Sequence, residues 1–200
     1  VVTSPPAAFS DCLGLAVPNM VKIYPPENTM SMNVKRLVRC AMIAAVYVTL
    51  CLVLAPLSYG TVQIRVAEAL TLLPVFGPEY IVGVTLGCLL ANLLGSTMVD
   101  VVFGTLATFL ACLVTYSLRK TRVRGLAIPA SIPPVLFNAV IVGGIELTFF
   151  MGETGATAKI ALLNALSVGL GEVVSCMILG VLLVKLIESV PALRHSFSEK

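Results

Sequence analysis

Along the chain, long apolar stretches alternate with short breaks marked by Pro, Gly or basic residues. The stretches are longer and more uniformly apolar than the amphipathic helices and alternating strands of a water-soluble fold. A spanning helix needs about 20 mainly apolar residues to cross a ~30 Å hydrocarbon core, and six stretches read as crossings. The first covers about Arg39 to Leu57, headed by Lys35, Arg36 and Arg39 and stopped by Pro56 and Ser58-Tyr59-Gly60. A shorter one covers about Val62 to Phe76. Gly77-Pro78 breaks the chain, and because proline suits a first helical turn, a third helix is placed from Pro78 to about Leu94. Gly95-Ser96-Thr97 turns the chain into a fourth, about Val101 to Leu118, with Asp100 at its head as an N-cap candidate. The basic loop Arg119 to Gly125 follows. The fifth segment starts unevenly through Pro129, Pro133 and Pro134 and is expected to be regular only from Pro134 to Phe150. The sixth, about Thr157 to Ile187, exceeds one bilayer crossing and must tilt or project.

The predicted fold class is therefore an all-α integral membrane protein, a six-transmembrane-helix bundle. Its domains are a disordered or non-native extension over 1–30, a membrane domain over 31–190 and a cytoplasmic tail over 191–200. Residues 1–29 lack the pattern of a signal peptide, and the working protein is expected to begin near Met30, just before Lys35-Arg36.

Composition agrees: the chain is 58% hydrophobic and 12% charged, with mean hydropathy +1.01, against roughly 25% charge in ordinary globular domains. The thirteen Lys and Arg form no stripe of the kind nucleic-acid binding requires, so no nucleic-acid partner is expected. They set orientation instead. With the amino end inside, eleven of them, including Arg119, Lys120, Arg122 and Arg124, are cytoplasmic, and only Arg65 and Lys159 lie outside. The expected location is the cell membrane, multi-pass, with both termini cytoplasmic.

The six Cys occur singly, without a C-x-x-C pair, and read as small buried apolar residues. The one His is His195, outside the apolar segments, so neither metal nor cofactor is expected. The sequence contains no G-x-x-x-x-G-K-[ST] loop, H-E-x-x-H or G-x-S-x-G, and ATP hydrolysis by this chain and intramembrane hydrolase chemistry are not expected.

An ionisable side chain at mid-bilayer costs at least ~2.5 kcal/mol, which marks such positions as functional candidates. They are Gln63, Arg65, Glu68, Asn92, Asp100, Asn138, Glu146, Asn164 and Glu172. Structural readings stand beside the functional ones. Arg65 and Glu68 have the i, i+3 spacing of a local ion pair, Asp100 is placed to cap a helix, Glu146 reads as lying at the outer interface, and Asn92 and Asn138 as interhelical hydrogen-bond groups. Glu172, deep among Val, Leu, Met and Gly, reads as a ligand or coupling residue, and Asn164 is spaced to share its cavity. Small-x-x-x-small pairs, Ala41/Ala45, Gly83/Gly87, Ala161/Ala165 and Ala165/Gly169, allow close helix approach.

The run LAPLSYGTVQIRVAEALTLLP at 54–74, with GCLLANL at 87–93, DVVFGTLAT at 100–108, NAVIVG at 138–143 and GLGE at 169–172, resembles the QueT family, membrane subunits that bind queuosine precursors in energy-coupling-factor (ECF) transporters. The resemblance covers about Lys35 to Lys185. It implies a six-helix substrate-binding S component that captures a deazaguanine on the outer face, without covalent chemistry. The S component then joins a transmembrane coupling subunit and two ATPase subunits of an ABC-type importer. Ala41-Met42-Ile43-Ala44-Ala45 fits the A-x-x-x-A pattern through which first helices of S components contact the coupling subunit. Substrate-binding candidates are Glu172, Glu68, Asp100, Asn138, Arg65 and Asn92, whose carboxylates and amides suit the N–H groups of such a base, with Tyr59 or Phe103 available to stack on it. Two alternatives remain at this point: an S component for a different vitamin or nucleobase, and a membrane enzyme using Glu68, Asp100 and Glu172.

Overall fold

The computed structural model describes residues 28–55, 64–150 and 157–198. Tyr59, Gln63 and nearly all of the amino-terminal extension lie outside them. The chain divides into two compact units, Val1–Leu37 and Val38–Lys200, and apart from the start of the first helix everything below concerns the second.

The elements are helical. Helix α1 is Asn28–Val53, followed by a 3₁₀ segment, Val66–Val75; α2 is Glu79–Gly95 and α3 Met98–Ser117. Helix α4, Ile128–Phe137, continues as a wide π-type stretch, Asn138–Phe150. Helix α5, Ala158–Glu172, continues through a second π-type stretch, Val173–Gly180, into α6, Val181–Ser189, and α7 is Pro191–Ser198. Four of these rods are long and apolar enough to cross a membrane, Arg36–Val53, Met98–Ser117, Ile128–Phe150 and Ala158–Ser189, while Val66–Val75 and Glu79–Gly95 are shorter apolar helices. At 1.5 Å per residue the rod from Ala158 to Ser189 is about 48 Å long, beyond the ~30 Å core.

Burial runs opposite to that of a water-soluble protein. Large apolar side chains such as Leu94, Val102, Leu136, Leu170 and Leu182 point outward, and Glu68, Asn92, Asp100, Asn138, Glu146 and Glu172 are buried. Lipid on the outside explains both halves of that pattern, since alkyl chains solvate Leu and Val while polar groups retreat to one another. The protein is multi-pass in the membrane.

The second apolar stretch differs from the α-helix expected over Val62 to Phe76. It is a ten-residue 3₁₀ helix in which all but Val66 is buried, with Pro74 inside it. An apolar segment without a polar face sits inside a protein, and this one packs against α2, α3, α4, α6 and the Val173–Gly180 stretch. It carries Glu68 into the interior. The fifth segment also departs from expectation, starting at Ile128 with Pro133 and Pro134 inside the helix. Pro134 has no N–H for the Ala130 carbonyl; the Thr115 hydroxyl of α3 donates to that carbonyl instead, at 3.0 Å. A neighbouring helix thus replaces the missing bond, which is how membrane helices accommodate proline.

The small pairs Gly83/Gly87 and Ala165/Gly169 serve internal packing. A side chain at Gly87 would meet Tyr47 and Ala44 of α1, and one at Gly143 would come within 2.7 Å of the Ala165 Cα. Ala41 and Ala45 stay exposed on α1. At the chain's end, residues expected to form a cytoplasmic tail make α7, whose Phe197 ring stacks on Tyr80 at 5.6 Å and meets Phe76 at 6.0 Å. The Tyr80 hydroxyl donates to the Phe197 carbonyl.

Candidate functional site

Elements of irregular geometry bring the costly polar side chains together. Glu68 rides on the 3₁₀ segment, Asn138 opens the first π-type stretch, and Glu172 is the last α-helical residue before the second. Long 3₁₀ and π runs have poorer hydrogen-bond geometry than an α-helix and recur at functional sites. Arg65 precedes the 3₁₀ helix, while Asn92 and Asp100 come from the facing ends of α2 and α3.

Arg65 is the cation of the cluster. Its Nη2 donates to Asn92 Oδ1 at 2.5 Å, and its Nη1 lies 3.9 Å from Asp100 Oδ1. Asn92 Nδ2 donates to the Asp100 carbonyl at 3.1 Å, and the Ser96 hydroxyl donates to Asp100 Oδ2. The N-cap of α3 is Thr97, whose hydroxyl accepts from the Asp100 N–H at 3.3 Å. Asp100 therefore occupies the third helical position rather than the cap, and its carboxylate turns to Ser96 and Arg65. Gly104 makes this possible, because a Cβ there would lie 2.7 Å from Asp100 Oδ1 and 2.9 Å from Asn92 Nδ2.

Glu68 accepts from the Tyr47 hydroxyl at 2.5 Å, and the Glu68 backbone carbonyl accepts from Thr71 Oγ1 at 2.6 Å. The Cys176 thiol donates to Glu172 Oε2 at 3.1 Å and lies 3.3 Å from the Glu68 carbonyl. Asn138 faces both Glu68 and Glu172. Arg65, Asn138, Val142, Val168 and Glu172 line a cavity of about 10 Å³, room for about one water molecule. Among the described residues, Glu68 Oε2, Asn138 Nδ2 and Glu146 Oε2 are buried without a hydrogen-bond partner. Such atoms are rare in proteins and call for an explanation.

Six of the residues singled out from sequence, Arg65, Glu68, Asn92, Asp100, Asn138 and Glu172, thus form one connected cluster. Glu146 is 1% exposed and faces Asp100; the π-type stretch turns it toward the protein interior. Asn164 does not share the Glu172 cavity, because its Nδ2 donates to Thr148 Oγ1 at 3.2 Å. Phe103 pairs with Phe150, ring centroids 4.9 Å apart, and is not among the residues lining the cavity, and Tyr59 lies outside the described residues. Tyr47, Cys176 and Gly104 escaped the sequence reading. A tyrosine hydroxyl in mid-helix was the available signal for the first; nothing in the local sequence marks the other two. Among the described residues, no three His, Cys, Asp or Glu side chains group as metal ligands would.

Comparison with known proteins gives this arrangement a context. The queuosine precursor transporter QueT of Lactococcus lactis subsp. cremoris (strain MG1363) is 43% identical over 74 residues, which take in 36% of this chain and 44% of the relative. The chain thus spans less than half the length of that relative. No solved structure matches it. The family described as QueT transporter matches residues 37–189, more than half of the chain, and its members are transporters rather than enzymes, which removes the membrane-enzyme alternative. This chain belongs to the QueT transporter family.

Proposed function

We propose that the chain is the substrate-binding S component of an ECF-type importer and that its substrate is a queuosine precursor, a deazaguanine. The observation that carries this reading is the convergence of Arg65, Glu68, Asn92, Asp100, Asn138 and Glu172 from separate elements into one buried cluster beside a cavity. The name of the Lactococcus relative supports the ligand class. Asn138 and Glu172 line the cavity and are the side chains placed to take the ring; Arg65, Asp100 and Asn92 hold the wall; Glu68 stands behind Glu172.

At about 10 Å³ the cavity is closed to a bicyclic base, and entry requires the elements around it to part. The 3₁₀ segment and the two π-type stretches are where that rearrangement disturbs the fewest regular α-helical bonds. In this reading Val66–Val75 and α2 join the four long spans to make six crossings, with the Arg119 to Arg124 loop cytoplasmic by the bias of positive charge. Arg122 ties that loop to α6 through a 2.6 Å bond to Glu188. Ala41 and Ala45, exposed on α1, offer a flat face to the coupling subunit, which the two ATPase subunits drive.

Mass spectrometry of small molecules co-purifying with the detergent-solubilised protein tests the assignment. A bound deazaguanine is the expected result. A different vitamin or nucleobase would keep the transporter class but replace the substrate.

A further inference from the structure

We propose that the edge of α1 beneath α7 belongs to the surface that receives the coupling subunit, and that α7 is a displaceable cover on it, with Phe197 holding the place of an apolar side chain from the partner's helix. The inference rests on the S-component reading and adds a second element to the contact made through Ala41 and Ala45.

Helix α7 has eight residues, Pro191–Ser198. It is set off from α6 by Val190 in extended backbone and by a proline, which starts a helix more readily than it continues one. Pro191, Ala192, Leu193, Arg194 and Ser196 are exposed, and the half-buried Phe197 is the anchor. Its ring stacks on Tyr80 and meets Phe76, and the Tyr80 hydroxyl donates to its carbonyl at 3.2 Å. A helix this short does not persist in isolation, so the placement of α7 depends on that ring and that hydrogen bond.

The seat is loosely filled. Arg39, Met42 and Ile43 of α1 share with Tyr80, Ser196 and Phe197 a groove of about 110 Å³, approaching the ~150 Å³ of an apolar cavity that takes up benzene. The same turns of α1 carry the small-residue face. At about 3.6 residues per turn, Val38, Ala41, Met42 and Ala45 lie on one side of the helix, and all four are exposed. Packed helices run with axes about 8–10 Å apart, and a helix with its side chains is about 10 Å across. A partner helix laid along Ala41 and Ala45 therefore covers Met42 as well and reaches the groove that Ser196 and Phe197 line. It competes with α7 for one strip of α1. Once α7 leaves, Phe76 and Tyr80 form an aromatic socket for an apolar anchor, the kind of pocket on which binding energy concentrates.

The test uses the full chain in detergent, alone and with its coupling subunit. Amide hydrogen exchange over 191–198 is expected to speed up on assembly, as α7 gives up its seat; unchanged or slower exchange overturns the inference. Phe197→Ala removes the anchor, and is expected to leave ligand affinity as it is and to tighten assembly at least about threefold, because the bare surface no longer has to be uncovered first. Assembly of that variant at wild-type affinity or weaker also overturns the inference. Ala41→Trp keeps this outcome apart from the reading beneath it: if Ala41→Trp abolishes assembly while Phe197→Ala changes nothing, the S-component contact stands and only the cover is discarded. A chain that assembles with no coupling subunit overturns both. Should Phe197→Ala fail to fold, the exchange measured on the wild-type chain decides by itself.

Discussion

The Tyr47 hydroxyl donates a 2.5 Å hydrogen bond to Glu68 Oε1 across 21 positions of sequence, joining α1 to the 3₁₀ segment at the heart of the protein. Both side chains are buried, so neither has water to fall back on. Tyr47→Phe leaves the ring packing in place and removes one donor from a buried carboxyl group, a loss of about 1–3 kcal/mol. Lower thermal stability in detergent, together with weaker ligand binding, is the expected pair of results. Unchanged behaviour in both assays would mean that Glu68 does not depend on Tyr47.

Arg65 stands 3.9 Å from Asp100, and the two side chains are only 13% and 11% exposed. Removing one partner of such a pair strands the other charge, at about 3–5 kcal/mol. Arg65→Gln is therefore expected to unfold or express poorly, and Arg65→Gln with Asp100→Asn to recover part of the loss. A double variant no better than the single one by thermal unfolding would show that the pair is not the source of the cost.

Gly104 separates structure from binding. The atoms a Cβ would strike are the ends of the Asp100 and Asn92 side chains, which can swing away without moving the backbone. Gly104→Ala is expected to fold normally and lose ligand affinity by about tenfold, since a buried polar contact displaced from its geometry forfeits about 1.4 kcal/mol or more. A binding curve identical to wild type would show that ligand binding does not depend on how Asp100 and Asn92 hold Arg65.

Ala41 lies on the exposed face of α1 and outside the polar cluster. Ala41→Trp is expected to leave ligand binding intact and abolish assembly with the coupling subunit, because an indole prevents the close helix approach that small residues allow. Co-purification with the partner subunits at wild-type levels would show that this face is not the contact.

The sequence by itself determined where the chain meets lipid. The spans expected over Arg39 to Leu57, Val101 to Leu118 and Thr157 to Ile187 fall within a few residues of Arg36–Val53, Met98–Ser117 and Ala158–Ser189, because apolar length is a property of the chain read in one dimension. The same logic exposed Glu68, Asp100, Asn138 and Glu172, since a polar group among apolar neighbours is costly whatever its partners are. Partnership itself is three-dimensional. Spacing put Arg65 with Glu68, whereas the fold gives Arg65 to Asn92 and Asp100 and Glu68 to Tyr47. The chain alone could not show that a 3₁₀ segment would be enclosed by its neighbours, that Thr115 would serve the carbonyl freed by Pro134, or that Gly104 would leave room for two side chains. Burial cost is paid residue by residue and is visible locally; hydrogen-bond partners are chosen by which helix faces pack together, and only the tertiary structure decides that.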